Sequence, residues 1–192
     1  MLRQIIFFFI TFLPIFASGQ SLTNLDKNNG FRKFKFEMSP TQIKNIKKIS
    51  ATSTLNLRGV TYYTYTGSDI LEFYSVKIEE IKLSFFNNRL YQIGISFGSI
   101  FRKYTDNEFS LANEALIVNF GHRTHDCKET SLINDKLDCL IWDAPKIRLE
   151  HVRMNLSEED GTRKQEFNYV QGYILFNNKA IETEQQHSEL EN

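Results

Sequence analysis

The sequence lacks the motifs that mark common classes of enzyme. Its 192 residues contain no phosphate-binding P-loop, no His-Glu-x-x-His pair and no glycine-rich dinucleotide turn. Positive charge is not in excess either, because 23 basic residues are balanced by 23 acidic ones. A nucleic-acid backbone is bound by a positive footprint. These absences predict a non-catalytic protein with no cofactor and no nucleic-acid partner.

Proline and glycine are scarce, whereas aromatic residues are abundant. The chain has 3 Pro and 9 Gly against 17 Phe and 8 Tyr. Disordered chains are poor in aromatic residues, and β-strands are rich in them. The composition therefore predicts a packed, strand-rich globular protein.

The N-terminus has the features of a signal peptide. Arg3 precedes an apolar run from Ile5 to Phe16, and the small residues Ala17-Ser18-Gly19 follow. The run is shorter than the ~20 residues that span a bilayer. We therefore predict a cleaved signal peptide over residues 1–19, with an uncleaved anchor as the alternative. The mature protein is predicted to be periplasmic or secreted and to have no transmembrane span.

Two segments carry the pattern of a capped helix. Ser39 with Gln42, and Thr105 with Glu108, each match a capping box, and Gly121 is a suitable end for the second helix. Apolar residues follow both caps at helical spacing. They are Ile43, Ile46 and Ile49 in the first segment and Phe109, Ala112, Leu116 and Phe120 in the second.

Most of the remaining chain reads as strands. The β-branched and aromatic runs are 59–67, 70–76, 79–88, 89–98, 137–143, 146–156 and 168–183. Asn87-Asn88 predicts a tight hairpin, and the similar Asn177-Asn178 predicts a second one. The fold class is therefore predicted as α+β, a two-layer structure in which two short helices pack on one face of an antiparallel β-sheet.

The same pattern gives a domain organisation. We predict a flexible N-terminus over 20–30, a single α+β domain over 31–181 and a disordered acidic tail over 182–192. Within the domain, a capped helix followed by a meander occurs in 31–100 and again in 101–181. This order is consistent with a degenerate repeat, and convergent use of common caps and turns is the alternative.

Two sequence stretches resemble a known group of exported modules. "FKFEMSPTQIKNI" and "IKLSFFNNRLYQIGISF" are similar to motifs of small SmpA/OmlA-type modules and of the related β-lactamase-inhibitor-protein fold, although Glu37 replaces the usual glycine. The resemblance implies a non-catalytic role in stabilising envelope assemblies or binding other proteins. The matching residues are Met38, Ser39, Gln42, Ile43, Phe86, Asn88, Arg89, Leu90 and Ile93.

Residues 121–139 contain both cysteines and two of the four histidines. His122, His125, Cys127 and Cys139 have the ligand types and number of a zinc site, but their spacing is unlike that of a compact zinc knuckle. In an oxidising compartment, two cysteines are expected to join. We therefore predict a Cys127–Cys139 disulfide worth about 3 kcal/mol. A small-ligand or metal-binding protein centred on this segment is the alternative function.

A basic segment near the N-terminus offers a candidate interaction surface. In one interpretation it is an edge strand whose lysines discourage aggregation, and in the other it binds an anionic envelope surface or an acidic partner. The leading functional prediction is an exported interaction module that binds a protein or cell-envelope component across an exposed sheet face. The candidate surface residues are Arg32, Lys33, Lys35, Lys44, Lys47, Lys48 and the single tryptophan, Trp142.

Overall fold

The fold is built around an antiparallel sheet of eight strands. The computed structural model describes residues 17–50, 57–127, 136–159 and 166–190. Its helices are α1 (Ala17–Asn28), α2 (Asp106–Phe120) and α3 (Lys179–Leu190), with a 3-10 turn at Pro40–Gln42. Its strands are β1 (Gly30–Phe31), β2 (Phe34–Lys35), β3 (Ile46–Ile49), β4 (Val60–Tyr65), β5 (Glu72–Phe73), β6 (Val76–Lys77), β7 (Glu80–Phe86), β8 (Arg89–Phe97), β9 (His125–Asp126), β10 (Lys136–Asp143), β11 (Ile147–Glu159) and β12 (Glu166–Asn178).

The sheet consists of two meanders that meet at its centre. Its strand order is β3-β4-β7-β8-β12-β11-β10-β9, so each meander runs from an outer edge inward. Strands β8 and β12 join the meanders, with Ile95 opposite Ile174. Strands β1–β2 and β5–β6 form two separate small hairpins. The predicted α+β class with an antiparallel sheet is confirmed.

One face of the sheet carries the main hydrophobic core, and we call it the core face. Alternate residues of the central strands point into this core, among them Leu83, Ile95 and Ile174. Helix α1 adds Leu25, and α2 adds four residues of its apolar stripe. Those four are Phe109, Ala112, Leu116 and Phe120, as the spacing in the sequence predicts.

We call the opposite side the open face. Helix α3 packs on one end of it, where Ile181 joins Phe86 and Tyr91 in a second, smaller cluster. The described residues form three α-helices, and the prediction of two helices on one face is not confirmed. None of the helices in the described residues is long and apolar enough to cross a bilayer.

The two predicted helix starts have different outcomes. Thr105 caps α2, its side chain accepts the Glu108 N–H, and Gly121 ends the helix with φ 77°, so this prediction is confirmed. Gln42 Oε1 also accepts the Ser39 N–H at 2.7 Å, but only one 3-10 turn forms. Asn45 has φ 59°, and the isoleucine-rich segment after it becomes strand β3. The first helix prediction is wrong because β-branched residues favour pairing in a sheet.

The two asparagine pairs also differ. Asn87 and Asn88 have φ of 48° and 63° and form the predicted hairpin between β7 and β8. At the end of β12, Asn178 Oδ1 accepts the N–H groups of Ala180 and Ile181 and so caps α3. The predicted second hairpin is therefore wrong, and strand β12 ends where that helix begins.

Both predicted flexible ends are instead helical in the described residues. Helix α1 covers most of 20–30, and its Leu25 is fully buried. Helix α3 covers 182–190 of the predicted acidic tail, with Ile181 and Gln185 buried. A few apolar residues in each helix are enough to place it against a hydrophobic cluster. The predicted signal peptide lies outside the described residues up to position 16, and Ala17-Ser18-Gly19 begin α1.

Candidate functional site: the open face of the sheet

A groove of about 220 Å³ lies on the open face. Five neighbouring strands form it, from the edge strand β3 to β12 at the centre of the sheet. It is mostly apolar, with tyrosine, leucine and isoleucine beside short polar side chains. The lining residues are Ile49, Tyr62, Lys82, Ser84, Gln92, Gly94, Ser96, Tyr173 and Leu175.

Gly94 lines this groove on strand β8. Its cross-strand partners are Lys82 on β7 and Leu175 on β12. One step along the sheet, Ser96 lies opposite Tyr173. Because Gly94 has no side chain, the backbone is uncovered between larger neighbours, and the sheet is hollow at this point.

A ladder of side-chain hydrogen bonds borders the groove. The Ser84 hydroxyl donates to Gln92 Oε1 at 3.2 Å, and Gln92 Nε2 donates to Asn177 Oδ1 at 3.0 Å. Ser84 and Asn177 are buried, so these bonds satisfy polar groups that water does not reach. The ladder crosses β7, β8 and β12 and fixes the orientation of the side chains along this border.

The two tyrosines of the groove carry neutral hydroxyl groups at physiological pH. Burial, with a smaller contribution from Glu150, raises the pKa of Tyr173 above the usual tyrosine value. Burial and then Glu189 raise the pKa of Tyr62 in the same way. These side chains offer a ring and a hydrogen bond to a partner, which suits binding.

Helix α3 bounds the open face through ionic and apolar contacts. Glu184 pairs with Arg89 of β8, and Glu182 pairs with Arg148 of β11 at 3.2 Å. Glu189 Oε1 accepts the backbone N–H of Arg58 at 2.6 Å. The acidic residues that suggest a tail in the sequence therefore attach α3 to the sheet.

The structure pairs the two cysteines of the 121–139 segment. Cys127 and Cys139 form the predicted disulfide, with Cα atoms 5.4 Å apart. His122 and His125 are both exposed, and His125 Nδ1 lies 3.0 Å from the Thr124 hydroxyl. In the described ranges, no three His, Cys, Asp or Glu side chains are grouped as metal ligands. The alternative metal site therefore retains two exposed imidazoles and no free thiolate among these four residues.

Trp142 is not a surface residue. It is fully buried on the core face, and its Nε1–H donates to the carbonyl oxygen of Gly121 at 2.7 Å. Its place in the predicted interaction surface is wrong, because alternation along β10 directs this side chain into the core.

The predicted basic surface divides into two parts. Arg32 donates to the Glu72 carbonyl at 3.0 Å, Lys35 donates to the Asn28 carbonyl at 2.8 Å, and Lys33 pairs with Asp69 at 2.6 Å. Lys33 and Tyr65 lower the pKa of the Asp69 carboxyl to about 2 by hydrogen bonding. The second part lies on or beside β3, is exposed and has no ion-pair partner among the described residues. It comprises Lys44, Lys47 and Lys48.

A second exposed apolar feature is a turn after β8. Ser99 and Arg102 exchange two backbone hydrogen bonds, which places Ile100 and Phe101 at the tip. Phe101 is 93 % exposed and Ile100 is 59 % exposed. Arg102 holds the turn through ion pairs to Glu79 and Glu108.

The sequence prediction of an exposed sheet face did not identify the groove residues. Tyr62, Tyr173 and Leu175 lie in predicted strands, where alternation alone does not say which face a helix will cover. Gly94 in the strand prediction 89–98 was an available signal, because an interior strand glycine often marks close approach of another group.

Comparison of the chain with protein-family models, curated proteins and solved structures gives no match. The resemblance to SmpA/OmlA-type modules and to the β-lactamase-inhibitor-protein fold stays a prediction from sequence.

Proposed function

We propose that this protein is an exported, non-catalytic interaction module that binds a protein or a cell-envelope component across the open face of its sheet. The observation that carries the proposal is the groove around Gly94, lined by half-buried Tyr173 and Leu175. Apolar side chains that remain partly exposed in one contiguous groove are typical of a binding surface.

The chemistry of the groove favours binding over catalysis. The titratable residues that line the groove are Lys82 and the two tyrosines. General acid–base or nucleophilic catalysis uses an activated group beside a base and an orienting partner. The groove offers rings, amides and hydroxyls, which supply contact area and hydrogen bonds.

Export is supported by two independent features. The N-terminal sequence has the order of a signal peptide, and the Cys127–Cys139 disulfide suits an oxidising compartment. Both features support a periplasmic or secreted location. The alternative function centred on residues 121–139 is less well supported, because the disulfide consumes two of its four ligands.

Site-specific photocrosslinking tests the proposal. A photoreactive amino acid replaces Lys82, which lines the groove with an exposed side chain. Matched positions are Val118, which is 84 % exposed on α2, and Phe101 at the exposed turn. The full chain is produced in its source cells, irradiated, and its crosslinked products are identified by mass spectrometry.

We expect one recurrent product from position 82, none from position 118, and loss of that product when Tyr173→Lys places a charge in the groove. A product that forms from position 101 and not from position 82 would move the interaction to the turn and contradict the proposal. Equal products from positions 82 and 118 would show that contact is not confined to the groove, with the same consequence.

A further inference from the structure

Gly172 and Gly94 both lie in central strands, but only at Gly172 does the surrounding packing require a glycine. A Cβ atom at Gly172 would lie 2.2 Å from the Tyr104 ring and 2.8 Å from the Val152 carbonyl oxygen. Glycine is therefore required at position 172 by the chain's own packing. A Cβ atom at Gly94 would lie 3.3 Å from Leu175 Cδ2 and 3.9 Å from the nearest atoms of Lys82. A small movement of one leucine methyl group relieves that contact.

The backbone does not require glycine at position 94 either. Its φ lies outside the positive range that favours glycine, unlike that of Gly98. A glycine inside a central strand weakens the strand. It loses more conformational freedom on folding than other residues do, and it has no side chain to pack. Position 94 therefore carries a residue that costs stability and leaves a hollow that the groove residues do not fill.

The groove that contains this hollow has room for one large side chain. A cavity of ~150 Å³ holds a benzene ring, and the groove around Gly94 measures about 220 Å³. An aromatic or branched aliphatic side chain fits this space and would touch Tyr173 and Leu175. A larger folded element would not enter it.

The charged residues beside the groove indicate the charge of the partner segment that would carry this side chain. Lys82 is the charged residue of the lining, and the register places it in one row with Thr64 and Lys47. Lys82 lies 3.3 Å from Glu80, but Lys47 has no ion-pair partner among the described residues. At the far side of the row, Arg148 pairs with Glu150 at 2.9 Å and with Glu182 at 3.2 Å, so this side carries no excess of positive charge. The β3 side is therefore positive and complements an acidic segment.

We infer that the hollow at Gly94 seats an aromatic or aliphatic side chain of an acidic, extended segment of a partner protein. This inference rests on the proposed function and adds the chemistry of the partner. The apolar side chain of the partner makes the buried contact. Carboxylates on either side of it lie against Lys47 of β3 and Lys82 of β7.

Titration with short peptides tests the inference directly. The probe is Ac-Asp-Glu-Phe-Asp-Glu-NH2, followed by the NMR signals of Gly94 and Tyr173 in the purified protein. The matched probes are the same peptide with alanine at its centre and Ac-Lys-Lys-Phe-Lys-Lys-NH2. We expect the acidic phenylalanine peptide to bind at least ~10-fold more tightly than either, because one probe lacks the buried ring and the other is repelled.

Gly94→Val fills the hollow without disturbing the core face. Valine favours strands, so we expect an unchanged or higher Tm together with at least ~10-fold weaker peptide binding. Gly94→Ala is the milder variant and serves if Gly94→Val does not fold. Gly172→Ala is the control for a true clash, and we expect it to lower Tm.

Three results would overturn the inference. They are equal affinity of the acidic and basic peptides, equal affinity of the phenylalanine and alanine peptides, and unchanged peptide binding by folded Gly94→Val. A groove crosslink from position 82 that survives Gly94→Val would overturn the inference while leaving the proposed function intact. Absence of the groove crosslink would remove both.

Discussion

The two faces of the eight-stranded sheet differ in how completely they are covered. On the core face, Leu83, Ile95 and Ile174 are fully buried, and even the gap at Gly172 is occupied by the Tyr104 ring. On the open face, Ser96, Tyr173 and Leu175, which alternate with Ile95 and Ile174, stay half-buried around the gap at Gly94. The same strands build both faces, so the open groove arises from what covers the sheet and not from the sheet itself.

Helix α3 sharpens this comparison because it covers part of the open face. It brings Ile181 onto Phe86 and Tyr91, and the cluster they form is as well buried as the core face. The chain can therefore cover its open face where an apolar side chain is supplied. The groove begins beyond the Ser84–Gln92–Asn177 ladder, where α3 supplies none.

The largest predicted difference compares two aromatic residues, one on each face. Trp142→Ala removes a fully buried ring from the core face, and we expect it to lower the free energy of unfolding by about 3–5 kcal/mol. Tyr173→Ala removes a partly exposed ring from the groove, and we expect a smaller loss of about 1–2 kcal/mol. Urea unfolding of both variants measures the two values. Similar losses would show that the groove is part of the folded core and would remove the distinction between the faces.

A smaller effect is expected from the buried histidine of the core face. His151 is fully buried, stacks on Phe109 at 4.1 Å and has Nε2 2.9 Å from the Tyr104 hydroxyl. Burial lowers its pKa from 6.5 to about 3, so it is neutral in the folded protein. Between these values the unfolded chain binds the extra proton, and stability therefore falls as the pH falls. The contribution of the neutral His151 to stability is fully present above about pH 6.5.

We expect the wild-type protein to lose about 1 kcal/mol of unfolding free energy between about pH 7.5 and pH 5.5 through this histidine. His151→Gln keeps a hydrogen-bonding group near Tyr104 and does not titrate, so its stability should change less over the same interval. Urea unfolding at the two pH values gives the comparison. Equal pH dependence in both proteins would mean that His151 is not held neutral by burial.

The sequence predicts those parts of the fold that local chemistry determines. The α2 caps at Thr105 and Gly121 and the Asn87-Asn88 hairpin satisfy their own backbone groups, so a few residues suffice to identify them. The segment after Ser39 carries an equally good cap, but its isoleucines gain more by pairing with β4. That choice depends on a partner strand many residues away.

The candidate groove is harder to predict for the same reason. Alternation shows that Tyr173 and Ile174 face opposite ways, but it does not show which face α1 and α2 cover. The sequence pattern identifies the strand that contains Trp142, but it does not show that this side of the strand is buried in the core. The acidic tail was assigned to solvent because its basic partners, Arg89 and Arg148, lie in strands far from it in sequence.

The smallest predicted effect concerns the ion pair that attaches α3 beside the groove. Arg89 and Glu184 keep side-chain exposures of 37 % and 52 %, and exposed pairs of this kind contribute less than about 1 kcal/mol. A double-mutant cycle with Arg89→Met and Glu184→Gln should give a coupling of that size, weaker in about 1 M salt than in about 0.05 M.

Ile181→Ala provides the contrast, because this side chain is buried and its loss should cost about 2–5 kcal/mol. A large, salt-insensitive coupling between Arg89 and Glu184 would reverse the ranking and make the acidic residues the main attachment of α3. The expected ranking instead means that an apolar contact closes one end of the open face. By the same physical reasoning, the part left open around Gly94 is the part that needs an apolar side chain from another molecule.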